Sequence, residues 1–413
     1  MNIQILKSSK TSPKSSVTIT GSKSESNRLL LLKALYPEID IENVSNSDDS
    51  VLMQKALQNS NAPVVDIHHA GTAMRFLTAY LSIQEGREVI LTGSSRMKER
   101  PIGILVDALR QLGADVQYVE NEGFPPLSIK GKKLNKTKVS LKANVSSQYI
   151  SALLLIASKL ENGLELTLDG KITSVPYIEM TLGLLREIGV ETTFEANVIT
   201  VKPIAIKPES KTLVVESDWS SASYYFSIAA LSDIGTEVRL SSYKENSLQG
   251  DSVLSELYKE FGVETSFENN SVILKKVEKA DSNKTIEFDL RNAPDIAQTI
   301  SVTAFGLGLE CKLTGLHTLK IKETDRLVAL KTELEKFGAE VAITDESLHL
   351  KSSDGIMSDV SVDTYNDHRM AMAFAPLGLK TTLLIKDAEV VSKSYPQFWE
   401  DLKNIGFQLE EKK

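Results

Sequence analysis

The segment VDALRQLGADV, residues 106–116, has a pattern that decides the fold, because four further segments repeat it along the chain. Apolar residues recur every three or four positions with charged residues between them, and a glycine follows. This pattern predicts an amphipathic helix that ends at a glycine in the left-handed conformation. The other copies are LGLLREIGVET (182–192), LSELYKEFGVET (254–265), KTELEKFGAEV (331–341) and WEDLKNIGFQL (399–409).

These amphipathic helices alternate with a second kind of helix at a similar period. The closing glycines are spaced by 76, 73, 76 and 68 residues, at Gly113, Gly189, Gly262, Gly338 and Gly406. The second kind is apolar on nearly every face, which predicts burial. Reference residues near the starts of these buried helices are spaced by 75, 74, 74 and 73, at Thr72, Ser147, Ser221, Asp295 and His368.

The opening stretch GSKSESNRLLLLKAL, residues 21–35, is a sixth and shortened copy. Its buried helix is expected from Arg28 to Leu35, only 44 residues before Thr72, and DDSVLMQKALQ (48–58) is its amphipathic companion without a closing glycine. Alternating and β-branched segments between the helices predict strands. Because the period exceeds the roughly 50 residues of thin solenoid repeats, it predicts α/β modules, five of them full and one shortened.

Composition bounds the class of protein. The chain has 413 residues, 41% of them hydrophobic and 25% charged, which favours two or more globular domains. Its net charge of −8 argues against nucleic acid and anionic membranes as partners. The single cysteine, Cys311, is expected in the core rather than as a nucleophile or metal ligand. With no signal-peptide pattern and no apolar run of about 20 residues, a cytoplasmic protein is expected.

Cations stand at the starts of several buried helices. Serine, asparagine, aspartate and threonine there are ordinary N-caps. A cation at such an end opposes the helix dipole at a cost of about 0.3–1 kcal/mol. Lys23, Arg28, Arg75 and Arg369 are therefore hypothesised to bind anions together with free backbone N–H groups, at helix ends that converge on one cleft. The His68–His69 pair lacks a second ligand pair, so no metal site is expected there.

Nine motifs in one order carry a resemblance to the 5-enolpyruvylshikimate-3-phosphate synthase family. They are GSKSESNR, AGTAMR, RMKERPIG, VSSQ, NSLQGD, PD, KETDR, YNDHRM and a late lysine before an aromatic–proline pair, within residues 21–396. The resemblance implies transfer of the enolpyruvyl group of phosphoenolpyruvate to the 5-hydroxyl of shikimate 3-phosphate by addition–elimination. This reaction belongs to chorismate and aromatic amino acid biosynthesis. It uses neither a metal nor an organic cofactor.

The resemblance also implies the architecture. Family members are two-domain inverse α/β barrels of six βαβαββ repeats, three per domain, which agrees with the period found above. On this chain one domain is expected at 22–215, on the shikimate 3-phosphate side. The other is expected at 1–21 and 216–413, with the acid–base groups and phosphoenolpyruvate contacts. A monomer is expected.

Site residues follow from the resemblance, motif by motif. Contacts to shikimate 3-phosphate are implied for Lys23, Ser24, Arg28, Ser146, Ser147, Gln148, Ser174, Tyr177, Asp295 and Lys322. Contacts to phosphoenolpyruvate are implied for Lys23, Gly71, Arg100, Gln148, Arg326, Arg369 and Lys393. The catalytic groups are Asp295 at the hydroxyl, Glu323 at the methylene carbon and Lys23 for charge stabilisation, and the division of proton transfer among them stays open.

Charge counting suggests how the site responds to its ligands. Seven cations among these residues less Asp295 and Glu323 leave +5, against roughly −5 to −6 on the two substrates. The unliganded site is therefore expected to have basic walls that repel each other, and ligands to draw the domains together.

Some residues depart from the family pattern, and two alternatives remain. His68–His69 replace a usual Gly–Asn, Phe76 a frequent proline and Thr318 a frequent asparagine, which leaves sensitivity to the inhibitor glyphosate open. The first alternative is a UDP-N-acetylglucosamine enolpyruvyl transferase, which typically has a loop cysteine and a Lys–Asn pair where this chain has Lys23–Ser24. The second is a non-catalytic anion-binding protein, which would be expected to lose Asp295 or Glu323.

Overall fold

The computed structural model describes residues 1–7, 11–59, 61–143, 146–170, 172, 175–204 and 209–412, without the Ile321 side chain. The chain divides into two compact units. One consists of Gly21–Val215 and is called the N-unit here. The other consists of Met1–Thr20 with Glu216–Lys413 and is called the C-unit.

Buried helices and amphipathic helices occur in each unit, as the sequence predicts. The α-helices are α1 (Lys23–Leu35), α2 (Asp48–Gln58), α3 (Gly71–Ser82), α4 (Ser95–Lys98), α5 (Gly103–Leu112), α6 (Ser147–Ala157), α7 (Val175–Glu187), α8 (Trp219–Leu231), α9 (Leu254–Leu257), α10 (Ala297–Gly306), α11 (Arg326–Lys336), α12 (His368–Phe374) and α13 (Phe398–Asn404). The 3₁₀ helices are Gly250–Val253, Tyr258–Phe261, Pro294–Ile296, His317–Ile321, Ala375–Leu379 and Ala388–Lys393.

The strands are short and occur in both units. They are β1 (Asn2–Ile5), β2 (Lys14–Val17), β3 (Ile39–Glu42), β4 (Val64–Asp66), β5 (Glu88–Thr92), β6 (Asp115–Tyr118), β7 (Leu127–Lys130), β8 (Lys138–Lys142), β9 (Leu164–Asp169), β10 (Thr192–Glu195), β11 (Val198–Val201), β12 (Lys211–Val214), β13 (Glu237–Ser241), β14 (Val263–Glu268), β15 (Ser271–Lys276), β16 (Ile286–Asp289), β17 (Cys311–Thr314), β18 (Val341–Ile343), β19 (Leu348–Leu350), β20 (Val360–Val362), β21 (Leu383–Ile385) and β22 (Leu409–Lys412).

Among the described residues each unit contains three sheets, and the five that have four strands are built on one plan. The N-unit sheets have the orders β4-β5-β7-β6, β10-β11-β9-β8 and β12-β3, and those of the C-unit β14-β15-β13-β2, β16-β17-β19-β18 and β20-β21-β1-β22. In the first, β4 and β5 are parallel with α3 between them, and β7 pairs antiparallel with both β5 and β6. These elements follow the order βαβαββ. The predicted α/β fold is confirmed, and the two-stranded sheet fits the shortened repeat.

The buried helices form the cores. Every residue of α8 is buried, as is almost every residue of α3 and α10. Burying one large aliphatic side chain contributes about 1.5–3 kcal/mol, which explains why apolar residues cover all faces of these helices. Packing fixes the direction of each helix and therefore the place of its N-terminal residues. Within the described residues, no helix has both the length and the apolarity needed to span a bilayer.

All five amphipathic segments end at their glycine as predicted, but one of them is not a continuous α-helix. The five closing glycines all have positive φ, from +72° at Gly262 to +110° at Gly406. However, segment 254–265 is not a continuous α-helix, because α9 is followed by the 3₁₀ helix Tyr258–Phe261. Three residues per turn place the rings of Tyr258 and Phe261 on one buried side, with centroids 5.0 Å apart.

The first helix also begins earlier than predicted. Helix α1 starts at Lys23, so Lys23 and Ser24 lie in its first turn and Arg28 in its second, rather than ahead of the helix. Ser22 is the N-cap residue but forms no side-chain capping hydrogen bond. The polar residues of this segment are compatible with a helix, and their functional groups lie on its first two turns.

Candidate active site

Arg28 is a buried cation held by neutral groups in the N-unit. It is 2% exposed, and its guanidinium donates to Thr181 Oγ1 at 2.8 Å, to the Ser24 carbonyl at 2.7 Å and to Ser151 Oγ at 2.8 Å. Burial lowers the pKa of Arg28 to about 10, so the group remains charged at neutral pH. Within the described residues it forms no ion pair, and its positive charge is therefore available to an anion.

Tyr177 and Phe76 complete the surroundings of Arg28. The Tyr177 carbonyl accepts a hydrogen bond from Arg28 Nη2 at 3.3 Å. The Arg28 Cζ atom lies 5.9 Å from the centroid of the Tyr177 ring and 5.5 Å from that of the Phe76 ring. Cation–π attraction at such distances supports the guanidinium without neutralising it. Phe76, a departure from the family pattern, thus packs on an expected site residue.

Gly71 and Arg100 are in close contact at the start of α3. A Cβ atom on Gly71 would lie 2.4 Å from Arg100 Nη1, so a side chain at this position would require the guanidinium to shift. Arg75 supports both sides of the contact, because it donates to the Gly71 carbonyl at 3.0 Å and to the Pro101 carbonyl at 3.1 Å. Burial lowers the pKa of Arg75 to about 10, and the nearby Arg100 charge adds to that effect.

The N-terminus of α6 is tied to that of α3. Ser146 is the N-cap of α6 and its hydroxyl accepts from the Gln148 N–H at 3.4 Å. The Gln148 amide donates to Thr72 Oγ1 at 3.2 Å, and Tyr149 Oη donates to the Pro101 carbonyl at 2.6 Å. The first N–H groups of a helix favour anions, so these two helix ends are suited to a phosphate or carboxylate.

Not every expected residue of the N-unit is joined to this arrangement. Lys23 is partly exposed on the first turn of α1, and Ser147 is partly exposed on the first turn of α6. Ser24, also partly exposed, is joined to Arg28 through its carbonyl. The expected contact Ser174 lies outside the described residues. The structure therefore connects Arg28 with Ser24 and Tyr177, Gly71 with Arg100, and Gln148 with Thr72.

Arg326 organises the second cluster, which lies in the C-unit. It is 2% exposed, and its guanidinium donates to Asp367 Oδ2 at 2.6 Å, to Asp295 Oδ1 at 2.8 Å and to Glu323 Oε2 at 2.7 Å. Asp325 caps α11 by accepting from two backbone N–H groups and so fixes the helix end that carries Arg326. Burial lowers the pKa of Arg326, but the three carboxylates outweigh it and raise the pKa above its usual value.

Asp295 is surrounded by three cations. Its carboxylate lies 3.1 Å from Lys322 Nζ, 2.8 Å from Arg326 Nη1 and 3.4 Å from Arg369 Nη2. Burial alone would raise the pKa of Asp295, but these cations lower it well below its usual value. The carboxylate is therefore ionised at neutral pH and is a weak base as long as it keeps these three partners.

Arg369 and Lys393 approach the same cluster from the segment around α12. Asp367 is the N-cap of α12 and accepts from the Arg369 N–H at 2.9 Å. The Arg369 guanidinium donates to the Asp295 carbonyl and to Ser220 Oγ, each at 3.2 Å. Lys393 Nζ donates to the Asn366 carbonyl at 2.6 Å, directly before the cap residue. The structure thus brings together the expected C-unit residues Asp295, Lys322, Glu323, Arg326 and Arg369, with Lys393 beside the segment that ends at Asp367.

The sequence did not single out three residues of this cluster. Asp367 is fully buried against Arg326, and Ser220 donates a hydrogen bond to the buried carboxylate of Asp251. Burial raises the pKa of Asp251 to about 6, with the Asp295 charge acting in the same direction. Asp251 and Asp367 lie inside the motifs NSLQGD and YNDHRM, and Ser220 directly precedes the reference residue Ser221. The available signal was therefore a carboxylate or hydroxyl inside or beside a segment already singled out.

These carboxylates correct the charge expected for the site. The count of +5 included only Asp295 and Glu323 as negative groups. In the C-unit, Lys322, Arg326 and Arg369 are matched by Asp295, Glu323 and Asp367. The basic walls expected for the unliganded site are therefore not found in this cluster. At Arg28 of the N-unit, by contrast, the described residues form no ion pair with the guanidinium.

Two departures from the family pattern have distinct surroundings. The Nδ1 atoms of His68 and His69 are 2.8 Å apart, and His69 Nε2 lies 3.4 Å from Asp48 Oδ2. In the described part of the chain, no three histidine, cysteine, aspartate or glutamate side chains form a group that could hold a metal ion. Thr318 Oγ1 is buried and has no hydrogen-bond partner among the described residues. Cys311 is buried as expected, and burial raises its thiol pKa to about 12.

Comparison with solved structures identifies the fold. The EPSP synthase from Acinetobacter baumannii has a TM-score of 0.83 at 23% identity, with 99% of this chain and 100% of that chain covered. The enolpyruvyl transferase NikO from Streptomyces tendae has a TM-score of 0.77 at 13% identity, with 99% and 98% covered. This is the fold of the enolpyruvyl transferases.

Comparison of sequences identifies the family. Residues 57–402 match the family model of EPSP synthase (3-phosphoshikimate 1-carboxyvinyltransferase). Proteins named 3-phosphoshikimate 1-carboxyvinyltransferase are 45% identical in Bacteroides fragilis, over 96% of both chains, and 35% identical in Haemophilus influenzae, over 94% of this chain and 96% of that one. The chain belongs to the EPSP synthase family, and it is a carboxyvinyl (enolpyruvyl) transferase. The alternative that acts on a nucleotide sugar is not favoured.

Proposed function

We propose that the two clusters divide the work of one reaction, the transfer of the enolpyruvyl group of phosphoenolpyruvate to the 5-hydroxyl of shikimate 3-phosphate. Family membership and the full-length relatives support the substrates and the place in aromatic amino acid biosynthesis. The N-unit cluster consists of Arg28 with Tyr177, Gly71 with Arg100, and Gln148 with Thr72, and it anchors the anionic groups of the ligands. The C-unit cluster supplies the acid–base groups. A monomer acting in the cytoplasm is part of this proposal.

The observation that carries the proposal is the burial of Asp295 among Lys322, Arg326 and Arg369. An anionic ligand attracts these same cations. When these cations also interact with a ligand carboxylate or phosphate, they stabilise the Asp295 carboxylate less, and its pKa is lowered less. Burial still raises the pKa. The carboxylate becomes a stronger base only when substrate is bound. A positioned base of this kind contributes about 10²–10⁴ in rate.

The proposed addition step moves two protons. The 5-hydroxyl oxygen of shikimate 3-phosphate bonds to C2 of phosphoenolpyruvate, and Asp295 takes the hydroxyl proton. In the reacting complex Glu323 is protonated and gives its proton to C3, so the methylene becomes a methyl group, Glu323 becomes a carboxylate and a tetrahedral intermediate forms. Glu323 is held for this role by Arg326 Nη2 at 2.7 Å. Lys23 balances negative charge as it develops.

Elimination reverses these two proton transfers at the carboxyl groups. Glu323 recovers a proton from the methyl group, the C2–O bond to phosphate breaks, and the proton held by Asp295 passes to the leaving phosphate. The products are 5-enolpyruvylshikimate 3-phosphate and inorganic phosphate. Every atom and proton is accounted for by the substrates and two carboxyl groups.

Anchoring is proposed for the remaining expected residues. Arg28, with its charge unpaired among the described residues, binds shikimate 3-phosphate together with Ser24, Tyr177 and the hydroxyls of the α6 N-terminus. Its rigid fork of donors suits an oxygen anion. Ser146, Ser147 and Ser174 hold the shikimate phosphate, Lys322 contacts the same ligand, and Gln148 contacts both ligands. Arg100 on Gly71, with Arg326, Arg369 and Lys393, binds phosphoenolpyruvate.

Phosphate release measured with two acceptors tests the proposal. The protein is incubated with phosphoenolpyruvate and either shikimate 3-phosphate or UDP-N-acetylglucosamine, with phosphoenolpyruvate alone as the control. Release above that control is expected only with shikimate 3-phosphate. Release only with the nucleotide sugar, or with neither acceptor, would overturn the proposed function.

A further inference from the structure

The proposed reaction gives no role to Asp251, which is one of the buried carboxylates of the C-unit. Asp251 lies on the 3₁₀ helix Gly250–Val253 and is 7% exposed. Its Oδ2 atom accepts a hydrogen bond from the hydroxyl of Ser220, which is also buried. The same hydroxyl oxygen accepts from Arg369 Nη2 at 3.2 Å. A continuous path of two hydrogen bonds therefore connects Asp251 with Arg369.

A hydroxyl group has one proton and must direct it to one acceptor. Because Ser220 gives its proton to Asp251, its lone pairs are turned towards the guanidinium of Arg369. If the carboxylate were absent, the hydroxyl could rotate and donate elsewhere, and Arg369 would lose this acceptor. Asp251 thus determines the state of a hydroxyl that it contacts, and through it the position of a cation that it does not bind directly.

Arg369 itself has unused donor capacity. Its Nη1 and Nη2 atoms reach the Asp295 carbonyl and Ser220, whereas its Nε atom is buried and has no acceptor within the described residues. A buried donor without a partner destabilises the folded state, and the more so when it is charged. This cost is relieved if the guanidinium binds an anionic ligand, which requires that its orientation be fixed beforehand.

We propose that Asp251 is a positioning residue for the transfer reaction: through the Ser220 hydroxyl it holds the Arg369 guanidinium in the orientation that binds the anionic group of phosphoenolpyruvate. This inference rests on the proposed function, because it takes Arg369 as a contact to that substrate. In this proposal Asp251 acts through Ser220 and Arg369 rather than by contact with the substrate.

The surroundings of Asp251 give this role a pH dependence. The charged groups that act on it are Asp295, Arg369 and Asp218, the last being the N-cap of α8. Burial raises the pKa of Asp251 to about 6, Asp295 and Asp218 raise it further, and Arg369 opposes them. The carboxylate that orients Ser220 is therefore lost as the pH falls through about 6, and with it part of the affinity for phosphoenolpyruvate.

Steady-state kinetics of Asp251→Asn test the inference, with Asp401→Asn as a matched control. Asp401 is another aspartate of the C-unit whose pKa is raised by burial, and it accepts a hydrogen bond from Tyr395 at 2.7 Å. For Asp251→Asn, the KM of phosphoenolpyruvate should rise about tenfold, while the KM of shikimate 3-phosphate stays within about twofold. Asp401→Asn should change neither KM.

The pH profile separates this role from a merely structural one. The phosphate group of phosphoenolpyruvate also titrates near pH 6, so the readout is the difference between the wild type and the variant. The wild type should lose affinity more steeply between about pH 7 and 5.5, and Asp251→Asn should lose that excess. The variant should be no less stable than the wild type at pH 7, since a carboxyl with a raised pKa destabilises the folded state there.

A second variant keeps the test decisive if Asp251→Asn does not fold. Ser220→Ala removes the intermediate hydroxyl and should raise the KM of phosphoenolpyruvate similarly, and the double variant should show no further increase. Unchanged KM in both single variants, equal losses for both substrates, or additive effects in the double variant would overturn the inference. A wild type without phosphate release would instead overturn the proposed function.

Discussion

Asp295 Oδ1 lies 2.8 Å from Arg326 Nη1, in a contact that is almost fully buried. Arg326 is at the same time bound to Glu323 and Asp367, so one guanidinium connects both expected acid–base groups with the N-cap of α12. This arrangement fixes the carboxylates before any ligand arrives. It also means that an anion entering the cluster must compete with carboxylates for the same cations.

Replacing Asp295 should change both stability and its pH dependence. Asp295→Asn leaves Lys322, Arg326 and Arg369 without their shared carboxylate, and loss of one partner from a buried pair costs about 3–5 kcal/mol. Because the folded-state pKa of Asp295 is lowered, its contribution is fully present above the unfolded pKa of about 3.9 and is lost as pH falls through the lower folded value. Urea unfolding at pH 7 and below pH 4 measures the difference in free energy of unfolding between wild type and variant. A difference of equal size at both pH values would contradict the prediction.

Replacing Gly71 should weaken phosphoenolpyruvate binding. In Gly71→Ala the new methyl group would lie 2.4 Å from Arg100 Nη1, so the guanidinium must move. We expect the KM of phosphoenolpyruvate to rise at least about tenfold and that of shikimate 3-phosphate to change little. Gly355→Ala is the control, because a Cβ atom there meets nothing within 4 Å. A KM unchanged from wild type would remove Arg100 from the phosphoenolpyruvate site.

Replacing Arg28 by lysine should impair the N-unit cluster although the charge is kept. The guanidinium bonds to Thr181, Ser24 and Ser151 in three directions, a geometry that an ammonium group at the end of a lysine cannot reproduce. We expect the free energy of unfolding to fall by about 1–3 kcal/mol. The KM of shikimate 3-phosphate should rise at least about tenfold. Denaturant unfolding and kinetics measure the two effects. A fully active, equally stable variant would show that the charge alone suffices.

Removing the N-cap of α11 should act on Arg326 through the helix. Asp325 accepts from the N–H groups of Leu327 and Val328, each at 3.2 Å, and Arg326 is the first residue of the helix. Asp325→Ala should lower the free energy of unfolding by about 0.5–2 kcal/mol. It should also lower kcat, because Arg326 positions Glu323. Thermal unfolding with parallel kinetics tests this, and a stability loss without any change in kcat would limit Asp325 to capping.

Much of the fold could be predicted because its signals are local and repeated. The five closing glycines, such as Gly113, predict helix ends because glycine readily adopts positive φ. The pattern of apolar residues distinguishes buried from amphipathic helices in each repeat. The 3₁₀ helix Tyr258–Phe261 was not predicted, because it depends on how the rings of Tyr258 and Phe261 pack in the core. The early start of α1 was missed for a related reason, since its polar first turn could equally be loop or helix.

The site was less predictable because its contacts span long separations. Arg28 meets Ser151 and Thr181, which are 123 and 153 positions away, and no pattern near Arg28 announces them. Resemblance to a family supplied a set of cations, but their charge state depends on neighbours such as Asp251 and Asp367. Spacing in the sequence does not give these distances, and so the expected charge excess was wrong for the C-unit.

The central claim is that Glu323 gives a proton to C3 of phosphoenolpyruvate and then removes one, while Asp295 serves the hydroxyl. The most direct measurement is the transfer reaction in D₂O, with the product analysed by nuclear magnetic resonance. The account predicts deuterium in the vinyl methylene group of the product, and a loss of turnover by at least about a hundredfold in Glu323→Gln. A product without deuterium would contradict the account. A Glu323→Gln variant that turns over at the normal rate would also contradict it.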